Sequence, residues 1–260
     1  MITPITTGVT GLLGWKVLQR TEARQIDMLQ KDASVQRSTT YLRENIAKVT
    51  SADALVGDYR MLSAVLSAFG LENDVANKAF IRKVLESDVT DDKSLVNRLS
   101  DKRYLRMAET LSFGAAAGPP ADLADRVGSA FIEREYERRV GAGDENLRLA
   151  LNVRRELKDY AGTEATLRTQ WYEVMGNPPL RKVFEGALGF SASIGRLPVE
   201  RQNDLFIRAA ERQLGSASLS DLSSPEATET LIRKFLARAQ LAESVSQNRY
   251  SAALTLLTRQ

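Results

Sequence analysis

The sequence predicts an all-α protein, read as an elongated helical bundle with two weakly similar helical repeats and a long N-terminal helix. Three observations predict this. Apolar residues recur at three- and four-residue spacing along most of the 260 residues, which turns one stripe of a helix toward a core. No sustained period-two run of β-branched residues marks a strand. One stretch, LVGDYRMLSAVLSAFGL at 55–71, is echoed by VMGNPPLRKVFEGALGF at 174–190, and in both a pair of glycines stands 13 apart: Gly57 and Gly70, Gly176 and Gly189.

Each copy reads as a short amphipathic helix. Asp58 or Asn177 offers a side-chain oxygen to the free N–H groups of the first turn, and Gly70 or Gly189 stops the helix. Met61, Val65, Ala68 and Phe69 fall opposite Leu180, Phe184, Ala187 and Leu188. Downstream, Phe80, Ile81 and Arg82 recur as Phe206, Ile207 and Arg208, and Ser94, Leu95 and Ser100 as Ser218, Leu219 and Ser224. Landmarks in the same order favour duplication.

Taken in order, residues 1–14 carry Pro4 and glycines at 8, 11 and 14. No strand precedes these glycines and no Gly-Lys-Ser/Thr follows, so a flexible arm, or an element ordered only by a partner, is expected rather than a phosphate loop. From 16 to 49 neither Gly nor Pro interrupts, which permits one helix of about 30 residues, roughly 45 Å long. Its stripe thins at Gln36, Arg37, Ser38, Thr39 and Thr40, so a break is expected near 38–40. Ser51 is positioned to cap the next helix, and Gly57 with Asp58 to restart it.

Residues 88–92, DVTDD, are acidic but lack the glycine and distant bidentate Glu of a calcium loop; Thr90 as a cap explains them more simply. The segment 114–118, GAAAG, followed by Pro119 and Pro120, is the clearest punctuation. The domain reading is therefore an N-terminal arm and long helix over 1–50 and a first helical repeat over 51–118. Linking helices, the second repeat and a C-terminal helix fill 119–260.

Composition narrows the function. Hydrophobic residues make up 43% of the chain, enough for a substantial core. No 18-residue apolar run suits a bilayer span. Cysteine and histidine are both absent, which removes disulfides, thiolate nucleophiles, the usual neutral-pH base and the commonest metal ligand. Asp58, Asp74, Asp88 and Asp101 are the carboxylates an enzyme would draw on, and each has a capping or surface explanation. No catalytic, cofactor-binding or metal residue is assigned, no cofactor is expected, and the chain is read as not an enzyme.

The net charge of +3 comes from 36 basic and 33 acidic residues mixed along the chain, not from a basic face of the kind nucleic acid selects. The run 133–139, EREYERR, with Glu135 and Arg139 at i,i+4, reads as a solvated helix face.

At 55–71, at NKAFIRKVLESDVTDDKSLVNRLSDKRY over 77–104, and at MGNPPLRKVFEGALG over 175–189, the chain resembles domain-of-unknown-function family 1217. The resemblance spans roughly 49–239, and the glycine-rich start with Gly14 and Trp15 is similar too. It implies an all-helical alphaproteobacterial protein, often encoded beside flagellar genes, and it supplies no catalytic residues. The expected function is a non-enzymatic interaction or structural protein linked to flagellar assembly or motility. A cytoplasmic chaperone or regulator of a flagellar export partner is the alternative, and a carboxylate-based enzyme ranks below both.

The expected partner is a protein, with a flagellar component as the candidate, and neither nucleic acid nor a membrane span is expected. Trp15, Leu18, Ile26 and Leu29 are the candidate partner-binding residues, with Leu254 and Leu257 as second candidates; ordinary packing back onto the bundle is the competing reading. The expected location is the cytoplasm, or the flagellum after export without a cleaved signal peptide.

Overall fold

Helical spacing and local caps produce fourteen α-helices among the described residues, and no strand. The computed structural model describes the backbone of residues 3–113 and 119–257, with side chains described through 244. In order the helices are α1 (Gly11–Gln30), α2 (Ala33–Asn45), α3 (Ala52–Gly57), α4 (Tyr59–Phe69), α5 (Lys78–Leu85), α6 (Leu95–Arg98) and α7 (Arg103–Leu111). There follow α8 (Leu123–Gly141), α9 (Glu145–Glu156), α10 (Leu167–Gly176), α11 (Pro178–Leu188), α12 (Val199–Leu214), α13 (Leu219–Leu222) and α14 (Pro225–Leu257).

The chain divides into two compact units, one drawn from 20–139 with the start of the chain, the other from 6–19 and 140 onward. The division falls inside α1 and near the end of α8, because both helices are continuous there. The expected boundary at 114–118 lies outside the described residues.

In the first unit α4 packs on α2, α3 and α7, and α5 packs on α3, α6 and α7. Leu42, Ile46, Leu55, Met61, Leu62, Val65, Ile81, Val84 and Met107 are almost wholly buried there. The expected break near 38–40 comes earlier. Lys31 and Asp32 interrupt the helix, and Asp32 starts α2 by accepting from the Ser34 and Val35 backbone N–H groups. Thr39 lies inside α2, and its hydroxyl donates to the Val35 carbonyl at 3.0 Å. A polar run does not break a helix whose side chains satisfy themselves on the preceding turn.

The expected solvated face at 133–139 is also corrected. Glu135, Glu137 and Arg139 are buried. Their charges are matched: Arg139 bonds Glu135 at 2.8 Å and reaches Asp32 at 3.1 Å, and Arg134 lies 3.5 Å from Glu137. Buried charges persist only when paired in this way. Nor is the start of the chain a free arm throughout, because the Ile5 backbone N–H donates to the Arg139 carbonyl at 2.9 Å, and Gly11 and Gly14 already belong to α1.

In the second unit α9, α11 and α14 pack on one another, α10 packs on α11 and α12, and α13 packs on α14. Trp171 anchors this core, with Phe184 edge-on at 4.9 Å and Phe206 stacked at 5.5 Å, and its indole N–H donates to the Ala217 carbonyl. Each such buried side chain contributes about 1.5–3 kcal/mol through burial.

The two echoed stretches adopt the same local geometry. Asp58 accepts from the Met61 backbone N–H at 3.0 Å, and Asn177 from that of Leu180 at 3.3 Å. Gly70 (φ 70°, ψ 31°) and Gly189 (φ 75°, ψ 29°) end the helices in the left-handed region. Leu71 and Phe190 then bond back to the Leu66 and Glu185 carbonyls, closing a six-residue wrap at each helix end.

Candidate docking groove

The exposed sides of α2 and α4 border an open depression in the first unit. One part, about 460 Å³, is lined by Ala33, Gln36, Arg37, Thr40, Tyr41, Glu44 and Arg60. A second part, about 180 Å³, continues from it past Tyr59, Ser63, Ser67 and Phe131. Tyr41 and Arg60 line both, and the two neighbouring depressions taken together make up the trough.

Its centre is built from the helix cap. Asp58 starts α4 and also accepts the Tyr41 hydroxyl, which holds the ring in the trough. The Arg60 guanidinium stands 4.0 Å above the centre of that ring, a cation–π contact. Burial pulls the Asp58 carboxyl upward, but hydrogen bonds from Tyr41 and from the α4 backbone outweigh it, and Asp58 ionises below its usual range. The bond to Asp58, helped by burial, raises the Tyr41 phenol above 10.0. The trough is thus lined by a neutral phenol, the acidic Glu44 and two exposed guanidinium groups, Arg37 and Arg60, with the engaged Asp58 behind Tyr41.

The other carboxylates singled out from the sequence are placed apart from this trough, and each is engaged locally. Asp74 accepts from Tyr104 at 2.7 Å and Asn77 at 2.8 Å. Asp88 accepts from the backbone and hydroxyl of Thr90 at 2.8 and 2.7 Å, so Thr90 is the donor and not the cap. Asp101 grips the Arg103 guanidinium at 2.6 Å. Among the described residues no group of three or more carboxylates is arranged to hold a metal ion.

The partner-binding candidates fall elsewhere. Trp15 (1% exposed) and Leu18 (0%) are core residues of the second unit, and Leu29 (3%) is a core residue of the first. The Trp15 indole N–H donates to Glu229 at 3.0 Å, and the Arg154 guanidinium lies 5.3 Å from its ring centre. Packing within the chain uses these three side chains, so they present no apolar surface to a partner in this conformation. Ile26 is half-buried. Leu254 and Leu257 belong to the part of α14 whose side chains lie outside the described residues. Sequence reasoning missed Tyr41, Tyr59 and Arg60 as groove residues. Their only signal was polar and aromatic side chains on the solvent stripes of two helices that come together in the fold.

Fold and site together define an all-helical protein with a tyrosine- and arginine-lined trough. The chain belongs to the family described as protein of unknown function (DUF1217), whose pattern matches residues 68–228. It is also similar in structure to a protein of Agrobacterium tumefaciens solved by X-ray crystallography under a structural genomics programme. That similarity has a TM-score of 0.75 and 24% sequence identity, and it covers 92% of this chain and 97% of that one. At this identity the likeness shows the fold alone. No curated protein sequence matches the chain.

Proposed function

We propose that this is a non-enzymatic interaction protein that acts in flagellar assembly or motility. The observation that carries the first half is the use made of the carboxylates. In a chain without His or Cys they are the leading candidates for acid–base chemistry, beside Lys and Tyr, yet Asp58, Asp74, Asp88 and Asp101 are each engaged by a neighbouring donor that keeps or caps structure. The solvent-facing trough on α2 and α4 is where a partner fits. The flagellar half rests on the resemblance of the chain to proteins often encoded beside flagellar genes.

Among the described residues no helix is long and apolar enough to cross a membrane. A deletion strain tests the proposal: it is expected to lose swimming with growth unaffected, and to regain it with the full chain supplied in trans. Unchanged swimming would overturn the flagellar half. Fractionation then separates two roles, because a structural subunit is recovered with purified flagella and an export chaperone stays in the cytoplasm.

A further inference from the structure

We propose that the trough between α2 and α4 receives an acidic segment of a protein partner, seated against Tyr41 and Tyr59 and held by Arg37 and Arg60. This inference rests on the interaction reading above and names its site and the chemistry of its partner.

The charges come first. Arg37 and Arg60 line the trough and are exposed, and neither has an ion-pair partner among the described residues. Arg60 leans on the Tyr41 ring, which fixes the guanidinium plane and leaves its N–H edge for an acceptor. Asp58 attracts Arg60 through space, but its oxygens are occupied by Tyr41 and the α4 backbone. Glu44 is the acid in the lining, set against the two arginines. Thr40, Ser63 and Ser67 add hydroxyls that donate to carboxylate or carbonyl oxygen. The lining thus seeks acceptors and negative charge.

The aromatic groups select a polypeptide over a free anion. Tyr59 is 62% exposed and borders the trough, and the largely buried Phe131 of α8 lines its floor. Tyrosine and arginine are the residue types that concentrate binding energy at protein interfaces. The two depressions, about 460 and 180 Å³, share Tyr41 and Arg60 in their linings, and a length of chain spans both where a compact ligand fills one. Two arginines are few for a polyanion, whose binding draws on many phosphate contacts. The occupant defined by these features is a segment carrying Asp or Glu beside an aromatic or aliphatic side chain.

Site-specific photocrosslinking in motile cells tests this with the full chain. The photoreactive residue p-benzoylphenylalanine is placed at Ser63 in the trough, and separately at the exposed sites Glu86 and Arg212 away from it. The expected result is a protein adduct from Ser63 whose mapped partner peptide contains Asp or Glu within a few residues of the crosslink. Adding Arg37→Glu and Arg60→Glu is expected to lower its yield about tenfold, the scale of losing charge-assisted contacts at an interface. Both arginines are exposed, and an unchanged thermal melt shows that the variant folds.

A Ser63 adduct that survives both substitutions, or maps to a peptide without acidic residues, to a second copy of this chain or to nucleic acid, overturns the proposal. Adducts from Glu86 or Arg212 alone overturn the trough as the site and leave the interaction reading standing. Adducts from none of the three sites overturn both.

Discussion

The Tyr41 hydroxyl bonds the same Asp58 carboxylate that caps α4, so one acidic group fixes both a helix start and the central ring of the trough. Asp58→Ala removes both contacts and is expected to cost about 2 kcal/mol, in line with lost caps and charge-assisted hydrogen bonds. Tyr41→Phe keeps the ring under Arg60 and is expected to cost about 1 kcal/mol. Asp58→Asn keeps the cap, as Asn177 does on α11, and should fall between them. Urea unfolding of the three variants gives the order.

Asp32 ties α2 to α8 and supplies the clearest pH dependence. The Arg139 hydrogen bond, aided by Ser34, holds its carboxyl well below the model-compound value of 3.8. A carboxyl whose folded value is depressed adds stability that is fully present above its unfolded value and is lost as pH falls through the folded one. Wild type is therefore expected to exceed Asp32→Asn in stability at pH 7, with the gap narrowing once pH drops below 3.8. Denaturant titrations at neutral and acidic pH check the sign. A gap that widens in acid contradicts the assignment.

Gly70 and Gly189 occupy left-handed backbone with guanidinium groups, Arg134 and Arg238, in the space a Cβ would enter. Gly70→Ala and Gly189→Ala are each expected to destabilise by about 1–2 kcal/mol from backbone strain. Arg134→Ala clears the space over Gly70 but takes an ion-pair partner from the buried Glu137 and a donor from the Phe69 carbonyl, so the double variant is expected to be less stable than Gly70→Ala alone. Thermal unfolding measures both.

Trp15→Ala is expected to cost about 3–5 kcal/mol, because it empties a core position and leaves Glu229 without its indole donor. Met28→Ala, on the same helix but 63% exposed, is expected to change stability by less than about 0.5 kcal/mol. A motility defect of the Trp15 variant would thus report unfolding, and calorimetry beside the swimming assay distinguishes this from a lost contact.

What was legible in the sequence was local. The caps at Ser51, Asp58 and Asn177 and the stops at Gly70 and Gly189 depend on residues within a turn of one another, and each was readable from its neighbours. The burial of 133–139 was not, because beside the local Glu135 the Arg139 guanidinium also reaches Asp32, 107 residues away. Seen alone, that run has the alternating charge of a solvated face. The break at Asp32 was missed for a related reason: the polar run at 36–40 drew the eye, while a single good capping residue earlier in the chain decided the matter. The trough was illegible because α2 and α4 contribute polar stripes that acquire meaning only when packing sets them side by side.

The most direct test of the account is affinity recovery of the tagged full chain from motile cells, with mass spectrometry run beside a preparation of purified flagella. The account predicts that hook, rod, filament or flagellar export components are enriched with the wild-type chain. Recovery of metabolic enzymes with no flagellar protein enriched would contradict it.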